Sequence, residues 1–153
     1  MTTYYFDSSA MVKLYVSEPG SRWVKQLYDT PSVNIDFGKI GLVEAASALA
    51  RRRRMGEITS DRQRILFAKL FHDSEERFGL LTITDETLRS AAVLTQEHPL
   101  RGYDAVHLAS ALALNRILTE NHLPSVIFAS ADEKLCQAAQ NEGLTIENPN
   151  EYP

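Results

Sequence analysis

A single cysteine, Cys136, stands among 153 residues. That excludes an internal disulfide framework and every thiolate zinc cluster, and it points to the cytosol rather than an oxidising compartment. Long apolar runs are missing too. None approaches the roughly 20 residues of a spanning helix, and the opening MTTYYFDSSA has no basic stretch leading into an apolar one, so no membrane association or cleaved leader is expected. Glycine (7) and proline (6) are sparse. No repeat, low-complexity stretch or linker interrupts the chain. An excess of positive charge is also absent. Sixteen Lys plus Arg face twenty Asp plus Glu, a formal charge of −4, which excludes a broadly basic nucleic-acid surface and leaves only local contacts possible. The chain has no GxxxxGK[ST], GxGxxG, GxSxG or HExxH signature.

What is present is 44% apolar and 24% charged sequence, enough for one domain over residues 1–153 with 148–153 as a short tail. Thr3–Phe6 is aromatic and β-favouring, and it ends at Asp7 before a helix over Ala10–Val16. Pro19-Gly20 then separates a second helix, Ser21–Tyr28. Val33–Asp36 reads as a strand and Gly41–Arg54 as a helix. Ser60 with Gln63 forms a capping-box pattern ahead of a helix to Phe78. A strand over Leu80–Thr84, helices over Thr87–Glu97 and Tyr103–Ile117, a strand at Val126–Ala129, a helix over Asp132–Glu142 and a last strand at Leu144–Glu147 complete the pattern. Short apolar strands alternating with helices predict an α/β fold with a parallel sheet covered on both faces.

Four acids occupy apolar or small-residue settings: Asp7 in YYFDSSA, Glu44 in LVEAASAL, Asp104 in GYDAVHLASAL and Asp132 in FASADEKL. Buried carboxylates lose hydration and repel one another, and a hard divalent cation such as Mg²⁺ or Mn²⁺ relieves both costs. Asp7 and Asp132 fall just after predicted strands, where ligand crevices of such folds lie. Each acid also has a plain alternative. Asp7 could open a turn, and Glu44 could pair with Arg51 on its own face. Asp104 could complement a helix dipole, and Asp132 could be a first-turn acid behind a Ser130/Glu133 capping box. His107, on an apolar helix face, reads as a hydrogen-bonded structural residue outside the metal set. His72, His98 and His122 read as surface residues. Arg52–Arg54 suit the helix C-terminus, whereas Arg51, on the face of Glu44, is a candidate RNA-phosphate contact. Tyr103, Trp23 and Phe37 could stack bases but fit a core better.

The blocks YYFDSSAMVKLYVSEPGS, LVEAASALARRRR, LRGYDAVHLASAL and FASADEKLCQAA, in this order, resemble the PIN-domain family and in particular the VapC-type toxins of bacterial toxin–antitoxin pairs. The resemblance implies a three-layer α/β/α sandwich with a mostly parallel sheet and Mg²⁺- or Mn²⁺-dependent endoribonuclease activity. It further implies inhibition by a cognate antitoxin, and a homodimer. It carries Asp7, Glu44, Asp104 and Asp132 onto the family's acidic site, with Ser9 and Ser130 as accompanying hydroxyls. The chain departs from the family pattern at Phe37–Gly41, where FGKIG replaces a hydroxyl-bearing entry to the Glu44 helix. Two rival readings remain. One is an inactive RNA- or protein-binding module with a structural cation. The other, a haloacid-dehalogenase-like phosphatase, is disfavoured by Ser9, which stands where that class needs a second Asp.

Overall fold

Alternation of side chains sets the layers. In the computed structural model, which describes residues 1–153, β1 (Thr2–Phe6) sends Tyr4 and Phe6 into one core and Tyr5 into the other, as the two-residue period of a strand requires. The chain continues through α1 (Ser8–Val12), α2 (Ser21–Asp29), β2 (Val33–Gly38), α3 (Lys39–Arg54) and α4 (Ser60–Glu76). Then come β3 (Gly79–Leu81), α5 (Asp85–Glu97), α6 (Gly102–Glu120), β4 (Ile127–Ala129), α7 (Glu133–Asn141), β5 (Thr145–Glu147) and a 3₁₀ turn at Pro149–Glu151.

The five strands lie in the order β3-β2-β1-β4-β5 and every pairing is parallel, with Tyr4 opposite Ile35 and Tyr5 opposite Phe128. Helices α1–α4 cover one face over Phe6, Met11, Phe37 and Leu70, and α5–α7 cover the other over Tyr5, Leu108, Phe128 and Leu135. This is the expected three-layer α/β/α sandwich. Each such fully buried side chain contributes about 1.5–3 kcal/mol. The strand order reverses between β1 and β4, so the crevice of this sheet opens at their carboxyl ends.

Local differences from the sequence reading have local causes. Helix α1 stops at Val12, because the Lys13 amide turns back to Ala10 O and the Lys13 ammonium reaches Glu18 and Pro19 O. The N-cap of α4 is Thr59, whose hydroxyl accepts the Arg62 amide at 3.0 Å, so the Ser60/Gln63 box does not form. The segment 148–153 is docked rather than trailing. Asn148 and Pro149 are buried, and Tyr152 stacks on Trp23 at 4.8 Å. Pro149 lies so close to Gly20, at φ +90°, that a Cβ there would meet Pro149 O at 2.4 Å. No helix is long and apolar enough to cross a membrane.

Candidate active site

Where β1 ends, the chain must turn into α1, and Asp7 makes that turn as N-cap, its Oδ1 accepting the Ala10 amide at 3.0 Å. The carboxylate is buried. It also accepts the Ser9 hydroxyl on Oδ1 and the Ser130 hydroxyl on Oδ2, each at 2.6 Å. All three donors are neutral. Burial holds the Asp7 carboxyl above the ordinary carboxylate range, against the pull of these hydrogen bonds.

Ser130 follows β4, on the other side of the switch, and ties the two strand ends together. Its hydroxyl accepts the Asp132 amide at 3.1 Å, and the Ser9 hydroxyl accepts the Ala131 amide at 2.9 Å. Asp132 is itself the N-cap of α7, its Oδ1 taking the Leu135 amide at 3.1 Å. The expected Ser130/Glu133 box is therefore corrected: Ser130 is spent on Asp7, and the next acid caps the helix. Cys136 donates to Ser130 O, and burial pushes its thiol up to about 11.

Glu44 stands in the second turn of α3, beside the β2 end. It does not pair with Arg51. The His107 Nε2 is 2.6 Å from its Oε1, and the Ser8 hydroxyl is 3.3 Å from its Oε2. Asp104, in the first turn of α6, accepts Arg101 Nε at 3.1 Å. Asp104 first, and Asp132 and Glu44 further off, raise the Arg101 guanidinium. Arg101 thus contacts Asp104 alone and feels two more of the four acids through space.

The acids stand on four elements and are not drawn into one knot, and Glu44 alone of them lines the cleft. The one group with three ligand atoms within 4.8 Å of one another is Glu97, His98 and Glu142, at the C-terminal ends of α5 and α7, remote from Asp132 at the start of α7. A cleft of about 680 Å³ opens over the site, lined by Ser8, Ser9, Glu44, Arg51, Arg101 and Tyr103 among others. Arg52, by contrast, is tied to Glu18 and Glu57. Of the three candidate stacking aromatics, Phe37 is buried and Trp23 half-buried against Tyr152, while Tyr103 stays exposed at the rim. Sequence reading passed over Arg101 and Ser8. The i,i+3 spacing of Arg101 and Asp104 was a signal for the first. Nothing local separates Ser8 from an ordinary turn serine.

The donors are all oxygens, carboxylates with hydroxyls beside them, and one carboxylate is buried without a cation. That set fits a hard divalent ion and does not suit a soft metal.

The PIN domain description matches residues 4–141. The chain is 31% identical over 149 residues, 95% of each protein, to Ribonuclease VapC45 of Mycobacterium tuberculosis. It is 26% identical over 148 residues to Ribonuclease VapC47 of the same organism, covering 95% of this chain and 96% of that one. Among solved structures it is similar to FitAcB from Neisseria gonorrhoeae, with a TM-score of 0.63 at 16% identity over 95% of this chain and 97% of that one. VapBC2 from Rickettsia felis, solved with a DNA fragment from its promoter, gives 0.62 at 13% identity, covering 96% and 98%.

Proposed function

The chain belongs to the PIN-domain family, and from that premise we propose that it is an endoribonuclease, the toxin of a toxin–antitoxin pair, using Mg²⁺ or Mn²⁺ in the cytosol. Asp7 carries the reading: a carboxylate buried at the switch between β1 and β4, held only by neutral donors, beneath a cleft with basic residues at its rim. Asp7, Glu44, Asp104 and Asp132 would hold the ion. When bound, it supplies neutralisation of phosphoryl charge and a lowered pKa for water.

The chain's own residues bind and orient. Ser9 and Ser130 fix the Asp7 carboxylate and can present a hydroxyl to a water or phosphate oxygen. Arg51 and Arg101 line the cleft, where guanidinium groups pair with backbone phosphates. Tyr103 at the rim offers a face for a base of single-stranded RNA. A cognate antitoxin would inhibit by placing an Arg or Lys among the carboxylates, as Arg101 already does on Asp104. Two copies would pair, as the family resemblance implies. Sedimentation checks that.

The deciding experiment incubates total RNA with Mn²⁺ and wild type or Asp104→Asn, then sequences the new ends. Discrete ends with wild type alone support the reading. Identical RNA in both, with folded and metal-binding protein, favours the RNA-binding module instead.

A further inference from the structure

The strand β1, the end of β2, the start of α3 and helix α6 meet at one buried ring. His107, 1% exposed, has Nδ1 2.8 Å from Tyr5 Oη and Nε2 2.6 Å from Glu44 Oε1. Tyr5 Oη also accepts the Gly38 amide at 3.1 Å, which leaves its own proton free for Nδ1 or for the otherwise unpartnered Ser110 hydroxyl. With that proton given to Nδ1, a neutral ring carries its own proton on Nε2, facing Glu44.

The surroundings leave the ring little freedom. Tyr5 is fully buried and stacks on Phe128 with centroids 5.7 Å apart. A Cβ on Gly38 would come within 2.9 Å of Tyr5 Oη, and one on Gly41 within 3.3 Å of His107 Cε1. Gly38 and Gly41 are thus positions where an added side chain would press on Tyr5 and, beside Phe37, on His107.

We infer that His107 is a positioning residue: with its tautomer set by Tyr5, it holds Glu44 Oε1 through Nε2–H and leaves Oε2, which only the Ser8 hydroxyl reaches at 3.3 Å, as the oxygen for a divalent cation. The inference rests on the metal-dependent reading above. A carboxylate free to rotate could present both oxygens or neither, whereas one pinned through a buried donor meets the ion in one pose. Partners that orient ligands in this way change metal affinity by roughly 10–100-fold when removed.

Two measurements test this. In metal-free wild type, ¹⁵N-histidine NMR is expected to show a protonated Nε2 and a bare Nδ1 on His107; a proton on Nδ1 would overturn the assignment. Calorimetric Mn²⁺ titration, with melting temperatures as a folding check, compares wild type with His107→Gln, His107→Leu and Tyr5→Phe. His107→Leu is expected to bind Mn²⁺ about 10–100-fold more weakly, His107→Gln to recover most of the loss by donating from its amide, and Tyr5→Phe to fall between. Folded His107→Leu binding as tightly as wild type sinks the role of His107. Wild type binding no Mn²⁺ instead sinks the underlying metal reading, an outcome the NMR result separates from a failure of the tautomer.

Discussion

Asp7 burdens the metal-free protein that depends on it. Burial disfavours its ionised form, so the native state gains from protonation and loses that gain as pH rises through the raised native value. Asp7→Asn keeps an acceptor for the Ala10 amide and the Ser9 hydroxyl without the charge, and it reverses the Ser130 contact so that the Asn amide donates to Ser130 Oγ. It is expected to melt about 2–4 °C higher near neutral pH, the shift of about 1 kcal/mol, and to lose cleavage. Calorimetry beside an RNA assay checks both, and a lower melting temperature would show that the charge is not the burden. Burial acts in the same direction on Cys136, which is neutral at ordinary pH and so carries no such burden. Buried, with its thiol pushed up to about 11, it should resist iodoacetamide in the native protein and react in denaturant. The four acids were legible in sequence because charges in apolar settings stand out. Arg101 and Ser8 were not, since arginine and serine before a helix have many uses.

Beside Leu66 and Leu70 in the core, one carboxylate ties helix α4 to the rest of its layer. Asp73 accepts Tyr15 Oη, Tyr28 Oη and Lys69 Nζ, each at 2.8 Å. Burial alone would raise its pKa, but the three donors outweigh burial and hold it below the ordinary carboxylate range. The stability this provides is present above that range and is lost as pH falls through the depressed native value. Lys69 is about half exposed, so the tyrosines supply most of it. Asp73→Ala should cost about 2–4 kcal/mol by urea unfolding at pH 7, and the gap between Asp73→Asn and wild type should narrow in acid. At the other end of α4, Thr59→Ala should cost about 1 kcal/mol and Ser60→Ala close to nothing, because the cap is Thr59. Helix and strand identities were legible from period and punctuation. The caps were not, because Thr59 and Ser60 satisfy the same sequence rule and only backbone direction selects between them.

At the scale of the molecule, the parallel sheet sets the site at its switch and the C-terminal segment closes the α2 side. Ending the chain after Glu147 removes Tyr152 from Trp23 and Pro149 from Gly20. The single tryptophan is then expected to emit further to the red, with a lower unfolding midpoint; unchanged fluorescence would mean that the stack does not shield it. The sequence by itself determined the layers, the parallel sheet and the acids, because hydrophobic period and the cost of burying charge act over a few neighbouring residues. Only the tertiary structure decided which groups those acids meet. Glu44 finds His107, 63 residues away, rather than Arg51 on its own helix, and Asp7 finds Ser130, 123 residues away. Such pairings arise when β1, β2 and β4 come into register and bring their carboxyl ends together, a condition set by the sheet as a whole and written in no single segment.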